Sequence, residues 1–81
     1  MTPSQIASTA TILGLQVANP AEGYRTFRHS AVPDETWSTM ESAAGSCEVA
    51  CGSYALGRLL SPFEALLTVI SDIAKRASEQ P

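Results

Sequence analysis

The residues of this 81-residue sequence best suited to chemistry are its two cysteines and its single histidine. Cys47 and Cys51 are four positions apart, a spacing that would place both sulfurs on one face of a helix. Two thiolates so arranged could share a zinc ion, but a closed zinc site takes four ligands and His29 is distant in sequence. We therefore interpret both cysteines as small hydrophobic side chains in a core, with no disulfide between them.

A nucleophilic centre is the second chemistry to consider. His29, Ser30 and Asp34, together with a cysteine, supply the residue types of a base, a carboxylate and a nucleophile. Their spacing matches no nucleophile elbow or glycine-rich oxyanion loop, and the sequence has no phosphate-binding loop or dinucleotide fingerprint. We therefore expect no catalytic residues, no cofactor and no metal, so the protein should not be an enzyme.

The clearest structural signal is the stretch that follows Ser61. Ser61 can cap a helix, Pro62 suits the first helical position and Glu64 completes a capping box. Apolar residues then recur at steps of three and four, which predicts an amphipathic helix over residues 62–78. The side chains expected to enter the core from this helix are Phe63, Leu66, Leu67, Ile70 and Ile73.

A proline followed two residues later by Gln or Glu recurs at Pro3, Pro20, Pro33 and Pro62. This pattern is typical of helix starts, so it predicts an all-α fold: a small bundle of three to four helices in a single domain, residues 1–81. The predicted helices span about residues 3–17, 20–29, 34–59 and 62–78.

The third predicted helix has an unusual composition, because small residues line the middle of its apolar seam. Gly45 and Gly52 would each cost about 0.5–1 kcal/mol in a helix interior, so the helix either breaks there or packs closely against another backbone. We expect close packing. The seam consists of Trp37, Met40, Ala44, Cys47, Cys51, Tyr54 and Arg58, which follow steps of three and four.

An α+β fold is the alternative that the sequence leaves open. Residues 15–17 and 24–27 can be interpreted as two short alternating strands, joined through the turn-forming residues between them. In that case residues 15–28 form a short hairpin, and the rest of the chain stays helical.

The charge balance limits the partners that the protein can have. The formal net charge is −3 and the isoelectric point is near 4.8. Such a chain repels nucleic acid and anionic lipid on average, so we expect no direct nucleic-acid contact and no membrane contact. Two cysteines are too few for a disulfide framework, which indicates reduced thiols and a cytoplasmic location.

Acidic and aromatic residues give the prediction of a binding surface. Asp34, Glu41 and Glu48 are seven residues apart and would form one stripe along the predicted third helix. A small acidic protein of this kind suits a protein partner, for example a nucleic-acid-handling protein with a basic groove. Aromatic and arginine side chains are the usual interface anchors. The expected partner-binding residues are Asp34, Glu35, Trp37, Glu41, Glu48, Tyr24, Arg25 and Arg28.

Three functional hypotheses follow from these features. The first is a non-enzymatic acidic binding module that acts as an inhibitor, comparable in size and charge to phage-encoded inhibitors of host defence or to nucleic-acid mimics. The second is a structural homo-oligomer in which the small-residue helix packs against its own copy. The third is a weak nucleic-acid binder that uses Arg25 and Arg28.

Overall fold

The computed structural model describes residues 1–79 of the chain, so the last two residues of the predicted domain lie outside the described part. The fold is α+β: five antiparallel strands form one sheet in the order β1-β2-β3-β4-β5, with one helix before and one after them. The elements are α1 (Pro3–Ile12), β1 (Gln16–Ala21), β2 (Tyr24–His29), β3 (Val32–Glu41), β4 (Cys47–Cys51), β5 (Tyr54–Leu60) and α2 (Pro62–Glu79).

The predicted all-α bundle is therefore wrong. Residues 20–29 and 34–59, expected to form two helices, contribute to the five strands, and the first helix ends at Ile12 rather than at residue 17. Residues 15–28, the hairpin of the alternative interpretation, do contain strand β1 and its partner β2 except for the last residue of β2, His29. Three further strands continue that hairpin into a complete sheet, which neither interpretation included.

The burial pattern of β4 shows why this region is a strand. Cys47, Val49 and Cys51 are buried, whereas Glu48 between them is exposed. Alternation with a period of two is the pattern of a strand that has one face on a core and one face in water. A helix would have buried residues at steps of three and four instead.

Gly45 and Gly52 explain where the predicted third helix fails. Gly45 has a φ of +84° in the β3–β4 turn, and Gly52 has a φ of +60° in the β4–β5 turn. Glycine adopts this left-handed region without steric cost, and the conformation cannot continue a right-handed helix. Both glycines therefore reverse the chain between strands, and neither serves close packing between helices.

Two of the prolines that predicted helix starts lie in strands. Pro20 is in β1, an edge strand, and Pro33 is in the part of β3 where the pairing with β2 shifts between Val32 and Trp37. Proline has no N–H to donate to a neighbouring strand, and edge strands and irregular positions tolerate that loss. The proline pattern was therefore misleading at these two positions.

The helix predicted after Ser61 is present as α2. The Glu64 N–H donates to the Ser61 hydroxyl at 3.2 Å, and the Ser61 N–H donates to the Glu64 carboxylate at 3.3 Å, which forms the expected capping box. The predicted core face is wrong at Phe63 and Leu67, which are exposed. The buried residues of α2 are Ala65, Leu66, Val69 and Ile73.

Within residues 1–79, no helix has the length and apolar character needed to cross a membrane.

Both helices pack on the same side of the sheet, where their buried residues join one core with Phe27 and Trp37. α2 packs against β3, β4 and β5, and α1 packs against β1 and α2. Trp37 in β3 faces Phe27 on one side and Cys51 on the other, and its indole N–H donates to Asp72 of α2 at 2.8 Å. Residues on the side of Trp37 therefore lie on the covered face. The opposite side of the sheet is called the open face below.

Candidate partner-binding face

A row of small side chains crosses the open face. Directly paired residues on neighbouring strands share a face of the sheet, and Ser38 follows Trp37, so its row points away from the helices. Because these side chains are short, the row forms a shallow depression in the surface of the open face. The row consists of Ala18, Thr26, Ser38, Ala50 and Ala55, one residue from each strand.

A row of larger side chains runs beside the small one. Tyr24 pairs with Met40, and Met40 pairs with Glu48. The difference in side-chain length between the rows leaves a hollow of about 120 Å³, and Met40 at its wall is 52% exposed. Tyr24, Met40, Glu48 and Arg58 line this hollow together with the shorter Ser38, Ala50, Ala55 and Gly57 and with Val49.

A second hollow, of about 180 Å³, adjoins the first. The two hollows share Met40 and Glu48, which form the ridge between them. Leu59 of β5 lines the second hollow and is 81% exposed. The second hollow therefore combines apolar side chains with carboxylates. Its remaining lining residues are Glu41, Ser42 and Ser46.

Leu59 has a strained backbone as well as an exposed side chain. Its φ is +56°, and the left-handed conformation costs a non-glycine residue about 1–2 kcal/mol. The pairing of β5 with β4 is irregular here. Cys47 pairs with Leu60 and Val49 pairs with Gly57, so two steps along β4 correspond to three along β5. Bulges of this kind re-aim a side chain, and here Leu59 lies at the second hollow.

Three of the expected partner-binding residues lie on the open face. Tyr24 and Glu48 line the hollows described above. Arg28 pairs with Gln16 near the other end of the sheet and donates through Nη2 to the Pro33 carbonyl at 2.9 Å. These three residues are therefore accessible, although they do not form one cluster.

The predicted acidic stripe does not exist, because the third helix does not exist. Asp34 is exposed near the start of β3 and lines a cavity with Glu35 and Arg76. Glu41 ends β3, where it forms a salt bridge with Arg25. The carboxylates expected on one helix face are thus distributed over both faces of the sheet.

Trp37 and Glu35 belong to a polar network on the covered face. Asp72 accepts from the Trp37 indole at 2.8 Å and from Arg76 Nε at 2.7 Å, and Arg76 lies 3.6 Å from a Glu35 oxygen. The thiol of Cys51 donates to the other Glu35 oxygen at 3.3 Å. Trp37 is completely buried, so this expected anchor is part of the core and not of an accessible surface.

The network determines the protonation of its acidic groups. Burial acts to raise the pKa of Asp72, but the hydrogen bonds from Trp37 and Arg76 outweigh it, so the pKa lies below the ordinary value. Burial, and then the hydrogen bond to Glu35, raise the pKa of the Cys51 thiol to about 11. Cys51 is therefore a neutral thiol at neutral pH, which argues against a role as a nucleophile.

Arg25 is also withdrawn from the surface. Its salt bridge with Glu41 lies beside Cys47, and both charged side chains are largely buried. Burial raises the pKa of the Cys47 thiol, and the nearby Arg25 charge only partly opposes this. Neither cysteine thus has the lowered pKa of a reactive thiol.

The geometry of the cysteines differs from the one expected. They are free thiols at the two ends of β4, and four residues of strand span about 13 Å. The helical arrangement with both sulfurs side by side is therefore wrong. Among residues 1–79, no group of three or more His, Cys, Asp or Glu side chains is arranged to hold a metal ion.

Sequence reasoning missed Met40 as a surface residue, and it missed Leu59 and the small-residue row. A signal for the row was present, because Glu48 and Ala50 alternate with apolar residues in β4. The turn residues Gly52 and Ser53 then mark the next strand. Alternation alone would not have aligned the five strands, so the hollows could not have been located.

Comparison with known proteins identifies no relative of this chain. No family model matches the sequence, no curated protein matches it significantly, and no solved structure matches it significantly.

Proposed function

We propose that this protein is a non-enzymatic binding module that recognises a protein partner through the open face of its sheet. The observation that carries the proposal is the pair of adjoining hollows that share the ridge of Met40 and Glu48. Tyrosine, methionine and arginine are enriched at the centres of protein interfaces, and Tyr24, Met40 and Arg58 all line the first hollow.

The second hollow favours a basic side chain of the partner. Met40 and Leu59 offer apolar contacts to the methylene stem of a lysine or arginine, and Glu48 offers a carboxylate to its cation. Proteins with basic grooves, such as nucleic-acid-handling proteins, present side chains of this type. The net charge of −3 supports association with such a partner over long distances.

The strain at Leu59 supports a role in binding. An exposed leucine at a φ of +56° contributes little to folding, and strained residues concentrate at functional sites. A partner that covers Leu59 would bury this apolar side chain. The raised thiol pKa values on the covered face also favour a binding role over nucleophilic chemistry.

The proposal includes a cytoplasmic location. Both cysteines are free and lie too far apart on β4 to form a disulfide with each other. Such free thiols are usual in reducing compartments.

Affinity capture from the source organism tests the proposal. The double variant Met40→Ala/Glu48→Gln removes the ridge, and the control Ile12→Ala/Glu79→Gln removes an exposed apolar and an exposed acidic side chain from the helices. We expect the ridge variant to recover the partner at least about ten-fold less than the wild type, as for loss of a binding hot spot. The control should recover the wild-type amount. Equal recovery by the ridge variant and the wild type would remove the open-face hollows from the proposal.

A further inference from the structure

A third hollow, of about 210 Å³, lies at the end of the open face away from Met40. It is lined by Gln16, Arg28, His29, Ser30 and Pro33, from the start of β1, the end of β2 and the turn into β3. Four of these five side chains can donate hydrogen bonds, and none is a carboxylate. This is a basic, donor-rich hollow on a protein whose net charge is −3.

Two of the donor side chains are held in position by the backbone. Arg28 Nη2 donates to the Pro33 carbonyl at 2.9 Å, which fixes one edge of the guanidinium and leaves its other N–H groups available. Within residues 1–79, Arg28 forms no salt bridge, in contrast to Arg25 and Arg76. An arginine held in this way has no carboxylate to neutralise its charge.

His29 adds a neutral hydrogen-bond donor to the hollow. Its Nδ1 accepts the N–H of Ala31 at 3.0 Å, so in the neutral ring the proton must be on Nε2. The Nε2–H group of the neutral ring is therefore a donor, and it belongs to a side chain that lines the hollow.

We propose that this hollow binds a phosphate group, with Arg28 as the charged anchor and His29, Ser30 and Gln16 as additional donors. A phosphate oxygen accepts strong hydrogen bonds from arginine, which can bind two oxygens at once. The phosphate is carried as a monoester, as on a phosphorylated serine of a protein, or is free inorganic phosphate.

Nucleic acid fits the hollow less well than a single phosphate monoester. A nucleic-acid backbone is bound through several Lys or Arg side chains at successive phosphates. Here Arg25 is paired with Glu41, and only Arg28 supplies a permanent charge to the hollow. The site therefore matches one phosphate group and not a chain of them.

Nuclear magnetic resonance titration tests the site without knowledge of a partner. Uniformly ¹⁵N-labelled protein is titrated with sodium phosphate, O-phosphoserine and a short single-stranded DNA, each at constant ionic strength adjusted with sodium chloride. We expect saturable shifts at the backbone amides of residues 28–31 and at the Gln16 side chain. Arg28→Gln should weaken phosphate binding at least about ten-fold, while Lys75→Gln, which removes one positive charge from an exposed position of α2, should bind as the wild type does.

Each outcome decides the proposal. Tighter binding of O-phosphoserine than of inorganic phosphate identifies a phosphorylated side chain as the source, and equal or weaker binding of the ester identifies free phosphate. Shifts that do not saturate, or that persist unchanged in Arg28→Gln, would overturn the site. Tighter binding of the oligonucleotide than of either small ligand would overturn the assignment to a single phosphate. Because these titrations use no partner protein, their failure would leave the capture experiment on the Met40 and Glu48 ridge unaffected.

Discussion

On the covered face of the sheet, Trp37, Asp72 and Arg76 are joined by hydrogen bonds within the protein, whereas on the open face Met40 and Leu59 extend into water. The covered face contains the residue types that usually indicate function: a tryptophan, partly buried ions and two thiols. Hydrogen bonds or a salt bridge join the tryptophan, the ions and Cys51 to neighbours inside the fold, and Cys47 is buried. The open face combines a row of small residues with longer side chains such as Tyr24, Met40 and Glu48, and this difference in length forms the two adjoining hollows. Residue type alone is thus a poor guide to which side chains are accessible in this chain.

The largest expected effect is loss of the aromatic centre of the covered face. Trp37→Ala should lower the free energy of unfolding by about 3–5 kcal/mol, because it leaves a cavity and removes the donor to Asp72. Urea denaturation, monitored by circular dichroism, measures the change. The control Tyr54→Ala removes an exposed aromatic side chain and should change stability by less than about 0.5 kcal/mol. Similar losses for both variants would contradict the division between structural and accessible aromatic residues.

The second effect is a pH dependence that comes from Asp72. The folded pKa of Asp72 lies below its unfolded value, so the unfolded chain binds more protons in acid. The contribution of Asp72 to stability is therefore complete above about pH 4, the unfolded pKa, and is lost as the pH falls through the folded pKa. Asp72→Asn should be about 1–3 kcal/mol less stable than the wild type at pH 7.

Denaturation midpoints at pH 7, 5 and 3 check this sign. The difference between the wild type and Asp72→Asn should be largest at pH 7 and 5 and should shrink at pH 3. Asp34→Asn, at an exposed carboxylate near the start of β3, is the matched control and should follow the wild type at every pH. If the Asp72→Asn difference were the same at all three pH values, hydrogen bonding to a charged carboxylate would not explain it.

The sequence predicts α2 well because its signals are local. The capping box of Ser61 and Glu64 lies within four residues and needs no tertiary contact. The sheet is different, because the apolar seam proposed for a third helix mixes residues of both faces. Trp37, Cys47 and Cys51 are buried, whereas Met40, at a helical step from Trp37, is exposed. The buried and exposed residues of this seam are distinguished only when the two-residue period of a strand is applied to the sequence.

The candidate site is harder to predict than the fold. Met40 and Glu48 become neighbours through the register of β3 with β4, and Leu59 reaches them only because β5 is irregular. These relations depend on turns and bulges, for which single residues give weak signals. Tyr24 and Glu48 were expected at the surface from residue type, but nothing in the sequence aligns them with Met40.

The smallest expected effect concerns the strain on the open face. Leu59→Gly removes the side chain and also relieves the positive φ, whereas Leu59→Ala removes the side chain beyond its Cβ and keeps the strain. We therefore expect Leu59→Gly to be about 0.5–1 kcal/mol more stable than Leu59→Ala, after allowance for the greater flexibility of unfolded glycine. Urea denaturation of both variants measures the difference.

The same two variants separate strain from contact in partner binding. Both lack the leucine side chain at the second hollow, so both should recover less partner than the wild type and by the same factor. A gain in stability together with a loss of capture in Leu59→Gly would show that the chain keeps an unfavourable residue for the sake of binding. Wild-type capture by both variants would assign Leu59 to the bulge of β5 and leave the ridge of Met40 and Glu48 as the part of the open face still to be tested.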